Sequence, residues 1–286
     1  MMSAITSAAS ADPAVDEALQ RFTLPAFWSG FKDQAPFVHP QDRPVIAKSP
    51  HGGWLATAAA ENFDTFVQSG TLGVGDERFY FSLLPVPYAG DLAQADIFIL
   101  LLNPGGGGVF DFHVEYRCPS WRERVLGNLS QAVHGMEFPN LNLDPEFCWT
   151  GGYQWWERKL RAVAMELVPL CGSYRKALRE LSRRVACIEL VPYHSTSFNG
   201  HKLLEILPST LQARRYVRDV LLPRAQRDEL SIIVTRQSKT WGLPAQEGVP
   251  SIVHYTGQQA RGVHFGPNTT GGREILRRIR KAGPLS

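Results

Sequence analysis

Four stretches of the chain are apolar without interruption, and each ends in a polar turn. They are DIFILLLNPGGGG (96–108), VACIELVPYHSTSF (185–198), SIIVTRQSKTWG (231–242) and the shorter VPSIVHYTGQQARG (249–262). Ile, Val and Leu follow one another in them with no apolar–polar alternation, the pattern of parallel strands covered on both faces. Helical spacing fills the gaps. It runs over 153–170 and 174–184, then over 203–227 with breaks at Pro208 and Pro223, and finally over 274–281. Strands alternating with helices predict a three-layer α/β/α fold around a central, mainly parallel four-stranded sheet. Such sheets bind ligands beyond the carboxyl ends of their strands. The four turns are therefore expected to line one cleft.

Upstream of residue 96 the pattern is weaker. Residues 1–20 read as an Ala/Ser-rich lead, 54–69 as a short helix and 78–84 as an extended stretch. The division expected is an N-terminal elaboration over 1–75, packed on an α/β domain over 76–286. At 286 residues and 44% hydrophobic content the chain can bury one substantial core. Its longest apolar run, 97–102, is far short of the roughly 20 residues that span a bilayer. No basic residue precedes the first acidic ones, so a secretory signal is not expected, and the cytoplasm or nucleoid is. Cys118, Cys148, Cys171 and Cys187 form no C-x-x-C pair, and His113, His194, His254 and His264 match no ligand spacing. Free thiols, no metal and no cofactor are expected.

The net charge is only +3, but it is unevenly spread. Residues 1–150 hold 8 Lys/Arg against 17 Asp/Glu, and residues 151–286 hold 22 against 10. A basic C-terminal half points to a polyanionic partner, with nucleic acid first among them. The alternative is that Arg-rich helices such as 175–184 merely solvate a surface.

The chemistry concentrates at the strand ends. Asn103 closes the first apolar run and is fixed by Pro104. The glycines from Gly105 and Gly106 to Gly108 let backbone approach a ligand. The run lacks both a G-K-[ST] ending and a G-x-G-x-x-G opening into a helix, which argues against a nucleotide-cofactor loop. A buried strand ending in Asn-Pro-Gly resembles the first motif of the uracil-DNA glycosylase superfamily, in its mismatch-specific, thymine-DNA-glycosylase-like branch. The resemblance implies that Asn103 positions the water that attacks the sugar, with Pro104 to Gly108 bordering a flipped base. It also implies that the end of the second strand reads the base edge, where this chain has Glu189 in place of the usual Asn. An ionised carboxylate only accepts hydrogen bonds, so a cytosine-type base offering its amino group is expected. Tyr193 and His194 would line the pocket, and Phe112 and Tyr116, with Phe110, would stack on the base. His254 takes the place of the family's second motif and would act on the base carbonyl or the developing charge. In the loop after it, Gln258, Gln259 and Arg261 stand where the family wedges the duplex, although the usual Pro-Ser and inserting Leu are absent. Thr270 is expected to cap the last helix, with Arg273, Arg277, Arg278, Arg280 and Lys281 adding charge towards DNA phosphates.

The activity implied is that of a monofunctional DNA glycosylase, because no Lys accompanies the Asn-Pro-Gly turn as a Schiff-base nucleophile. The run of glycines hints at a bulky, modified cytosine such as that of phage DNA, and hence at antiviral defence. Duplex DNA is the expected partner and a monomer the expected state. Three other readings stand beside this one: uracil or mismatch repair, hydrolysis of a free nucleotide or nucleoside, and a non-catalytic DNA-binding module.

Overall fold

The computed structural model describes residues 23–48, 62–68, 79–106, 109–243 and 249–282. The chain forms a mixed α/β structure around a five-stranded sheet. The strands are β1 (Tyr88–Ala89), β2 (Ile97–Leu101), β3 (Val185–Glu189), β4 (Ser231–Val234) and β5 (Ile252–His254), in the spatial order β1-β3-β2-β4-β5. The four longer strands are parallel, as the four apolar runs predict. The fifth, β1, is a two-residue antiparallel edge on β3. It lies beyond residues 79–84, which were expected to be extended and instead form turns.

The helices are α1 (Leu24–Trp28), α2 (Arg43–Lys48), α3 (Phe63–Val67), α4 (Val109–Arg117), α5 (Pro119–Leu129), α6 (Gly151–Cys171) and α7 (Tyr174–Arg184). They continue with α8 (Pro208–Tyr216), α9 (Leu222–Gln226), α10 (Ser238–Trp241), α11 (Gly257–Gly262) and α12 (Thr270–Ala282). Of the helix expected over 54–69, only α3 falls among the described residues, and the lead at 1–20 lies outside them.

Helices cover both faces of the sheet. Ile97, Ile99 and Leu101 pack with Cys187 and Ile233 against Leu160 and Val163 of α6, Leu181 of α7 and Ile279 of α12. Phe98, Leu100, Ile188 and Val234 face the other way, onto Tyr216 of α8, Ala225 of α9 and the N-terminal residues Leu24, Trp28, Val38 and Ile46. Leu24 to Ile46 thus share the core of the sheet, while Phe63 of α3 packs on a separate cluster of Tyr80, Leu83 and Phe112. Burying both faces removes enough apolar area to fix the register, since a one-residue slip would turn every side chain to the wrong layer.

This winding makes the tips of β2 and β4 a topological switch point. The chain leaving β2 returns through α6 and α7 on one face, whereas the chain leaving β4 turns into α10, whose Trp241 packs on the other. Neighbouring strands that send their connections to opposite faces leave a gap at their carboxyl ends, where open α/β sheets bind ligands. Asn103 lies just past β2, at the carboxyl end of the sheet. Among the described residues, no helix is long and apolar enough to cross a membrane.

Candidate functional site

The loop after β2 is zipped to the loop after β3. Leu190 N–H donates to Leu101 O, Val191 N–H to Leu102 O and Ser195 N–H to Pro104 O. Asn103 is held inside this zipper. Its Nδ2 donates to Ser195 Oγ at 2.8 Å, to Pro104 O at 3.0 Å and to Tyr193 O at 3.3 Å. Two of these partners are carbonyl oxygens, which only accept, so the amide can sit only with its NH2 group inward. Asn103 Oδ1 makes no hydrogen bond among the described residues and is left as an acceptor for a ligand or water.

The glycines serve close approach. Gly106 has φ +92°, a left-handed conformation costly for other residues. A Cβ on Gly106 would stand 2.9 Å from Asp111 Oδ2 and 3.7 Å from His194 Nδ1. A Cβ on Gly151, the first residue of α6, would lie 3.6 Å from Asp111 Oδ1. The Asp111 carboxylate therefore lies between the Gly106 backbone, the start of the 21-residue helix α6 and the His194 ring. The partial positive charge of a helix start favours a carboxylate there. Asp111 is the site residue that the sequence reading passed over. Its only signal was an acid in the first turn of a helix, eight positions after Asn103, and α4 itself was not foreseen. Gly105 is exposed, and no described residue stands within 4 Å of where its Cβ would be. Gly107 and Gly108 lie outside the described residues.

His194 Nδ1 bonds Gly105 O at 2.7 Å, and a carbonyl partner requires that nitrogen to carry the proton. Burial pushes the ring's pKa below the usual histidine range, against the Gly105 carbonyl, the Asp111 charge and the Leu84 carbonyl, which raise it. A ring between two carbonyls acts as a strap for the glycine loop. Thr196 Oγ1 adds a long bond of 3.4 Å to Gly106 O and meets Tyr80 Oη at 3.1 Å.

Glu189 pairs in register with Leu101, so it lies on the strand beside Asn103 and two residues below it. It is 7% exposed, and its Oε2 has no hydrogen-bond partner. Burial raises its pKa well above the ordinary carboxylate value, opposed only by the Arg236 charge. Burial thus favours the neutral acid over the carboxylate at this position. The cytosine expectation rests on the ionised carboxylate; a neutral acid would both donate and accept.

His254 does not join this group. It pairs with Val234, which faces the layer of α8 and α9, whereas Glu189 faces α6, α7 and α12. Three strand spacings of about 4.8 Å put β5 roughly 14 Å from β3. One base gripped by Glu189 is thus not also gripped by His254, whose Nε2 is buried without a partner and whose pKa burial lowers. Three aromatic expectations also change. Phe112 is fully buried against the edge of Tyr80, and Tyr116 donates its hydroxyl to Ser82 O at 2.5 Å. Tyr193 is buried and donates to Asp42 at 2.6 Å. All three are packing or tethering residues. Phe110, 53% exposed, is the aromatic of this segment that remains open to solvent.

The rim is basic, though less so than the charge count implies. Arg277, Arg278 and Lys281 pair with Asp228, Arg280 with Glu166, and Arg184 with Asp96 and Glu180. Four of the five cations of α12 are thereby paired, three of them on Asp228. Thr270 does not cap α12. Thr269 Oγ1 accepts from Gly272 N–H at 3.0 Å, while Thr270 Oγ1 is buried without a partner. Arg273 is exposed and donates to Asn268 O at 2.7 Å. Cations without a carboxylate partner gather instead around α11. Arg236 donates to Ala260 O and Arg261 O, and Lys159 donates to Gly262 O at 2.7 Å beneath the Trp155 ring. Gln258, Gln259 and Arg261 are exposed on α11, and their side chains make no hydrogen bond among the described residues.

Among the described residues, no cluster of His, Cys, Asp or Glu is arranged to hold a metal ion. A surface groove of about 580 Å³ lies elsewhere, lined by Arg124, Met136, Phe138, Asp144 and Arg175, and none of the strand-tip residues borders it. No family model matches the chain, nor does any curated protein or solved structure.

Proposed function

We propose that the chain is a monofunctional DNA glycosylase with a fold of the uracil-DNA glycosylase type, acting on a nucleotide flipped into a crevice at the carboxyl ends of β2 and β3. The observation that carries this reading is the Asn103 amide, fixed through its NH2 group with Oδ1 uncommitted at a strand tip. A water held by Asn103 Oδ1 attacks C1′ as the C1′–N bond breaks. The bonding electrons leave with the base, and the water becomes the C1′ hydroxyl of an abasic sugar. Asparagine is no general base, so the Asp111 carboxylate supplies the negative charge that steadies the cationic sugar and receives the proton of the water.

Glu189 reads the base edge as a neutral acid. Its O–H and C=O satisfy N3 and the 4-amino group of cytosine, and in the opposite sense O4 and N3–H of uracil. Discrimination then falls to the rest of the pocket. The open space at Gly105 favours a substituent on the base, so hydroxymethylated or glycosylated cytosine, as in phage DNA, is the substrate class proposed first. On that substrate the chain would be a defence enzyme. Repair of uracil is the second reading, favoured by the same donor–acceptor pair on Glu189. Mass spectrometry of bases released from a panel of modified DNAs tests both. Release of modified cytosine supports the first and clean uracil release the second. Release from free nucleosides alone would replace both with a nucleoside hydrolase.

A further inference from the structure

We propose that Asp42, in the N-terminal segment, is a positioning residue for Asn103 and acts through Tyr193. The inference rests on Asn103 being the working amide. Asp42 is 0% exposed and sits just before α2. Its Oδ1 accepts from Ser209 N–H, in the first turn of α8, at 2.9 Å, and its Oδ2 accepts from the Tyr193 hydroxyl at 2.6 Å. The same hydroxyl accepts from His39 N–H at 3.2 Å. One buried carboxylate thus joins three parts of the chain distant in sequence. Burying it is costly unless its lone pairs are satisfied, and burial raises its pKa while the Tyr193 and Ser209 hydrogen bonds pull it back.

The tie matters because of where Tyr193 stands. β3 ends at Glu189, so no sheet ladder orients residue 193. Among the described residues, its backbone makes one hydrogen bond, the acceptance by its carbonyl of Asn103 Nδ2. Its ring is caged edge-on by Phe81 at 5.3 Å and Phe79 at 6.1 Å, which leaves the hydroxyl to set its depth and rotation. A shift of Tyr193 along its long axis therefore moves the carbonyl that holds Asn103, and two residues on it moves Ser195 Oγ, the shortest bond of the amide. Small errors in placing a reacting water cost rate steeply. The N-terminal segment, which contributes no group to the crevice in this account, would then determine how well the crevice works.

Tyr193→Phe removes the hydroxyl and keeps the ring. Tyr88→Phe is the matched control, because it deletes a buried hydroxyl bonded to Leu129 O at 2.6 Å, a partner that does not bond Asn103. Two readouts separate positioning from stability. One is single-turnover base release against DNA affinity. The other is solvent exchange of the Asn103 side-chain NH2 protons by ¹⁵N–¹H spectroscopy, assigned by their loss in Asn103→Ala. Tyr193→Phe is expected to lower the release rate about tenfold with affinity within threefold, and to speed Asn103 exchange about tenfold, while Tyr88→Phe changes neither. If Tyr193→Phe does not fold, Asp42→Asn carries the same readouts. Equal behaviour of the two Tyr variants overturns the proposal. If the wild-type protein releases no base, the glycosylase reading falls, and Asn103 exchange alone then decides whether the tie exists.

Discussion

Asn103→Asp exchanges one NH2 group for an oxygen and leaves the size of the side chain unchanged. In the native protein that NH2 group donates to Ser195 Oγ, Pro104 O and Tyr193 O. In the variant an oxygen faces two carbonyl oxygens that cannot donate to it, and only the Ser195 hydroxyl can turn to compensate. Two lost hydrogen bonds remove about 2 kcal/mol, and the repulsion of a half-buried carboxylate by two carbonyl dipoles adds about 1 kcal/mol. The expected destabilisation is therefore roughly 3 kcal/mol, which lowers a urea midpoint by about 1 M. The introduced carboxyl regains a donor when protonated, so its folded-state pKa is raised above its unfolded value. The penalty is then full at high pH and shrinks as pH falls through that raised pKa. Urea unfolding of both proteins at pH 8 and pH 5 measures the difference. A variant as stable as wild type at pH 8, or one whose penalty grows in acid, would show that the amide does not hold its NH2 group inward, and the site would lose its uncommitted Oδ1.

Three further outcomes are expected. If Glu189 reads the base as a neutral acid, base release should fall as pH rises through its raised pKa; Glu189→Gln, with the same donor–acceptor pair, should flatten the profile, and Glu189→Leu should abolish release. If the cations around α11 meet phosphates, Arg261→Ala should reduce the slope of log affinity against log salt by about 1, whereas Arg277→Ala, already paired with Asp228 and Glu274, should leave it nearly unchanged. Gly272→Ala would drive a methyl group into the backbone of Gly266 and Phe265, so it should destabilise by more than about 3 kcal/mol in thermal or urea unfolding, beyond anything helix propensity would return.

The parallel strands were legible because burial on both faces leaves unbroken Ile/Val/Leu runs, and α7 was legible to its ends because Ser173 caps it and Tyr174, Ala177, Leu178 and Leu181 keep helical spacing despite the buried Glu180, Ser182 and Arg184. α4 and α5 were not, since Glu115, Arg124 and Asn128 are buried polar residues that break the apolar spacing. That loss hid Asp111, which matters only once α4 turns it towards Gly106. Strand tips could be counted from the sequence, but their facing could not. Whether His254 joins Glu189 depends on the register across β2 and β4, which no local pattern encodes. The charge surplus was real in number, while its effect depends on pairs such as Arg184 with Asp96 that join residues 88 positions apart. An ionised carboxylate buried at the position of Glu189 would need a partner. The neutral state is the alternative outcome, available when desolvation outweighs the nearest opposite charge.

The most direct measurement is the separation of affinity from turnover in Asn103→Ala on duplex DNA carrying modified cytosine. Wild type should leave alkali-labile abasic sites, and the variant should bind within threefold of wild type while generating those sites about 100-fold more slowly. Abasic sites formed equally fast by both proteins, or by neither on any base, would contradict the assignment of water attack to the β2 tip.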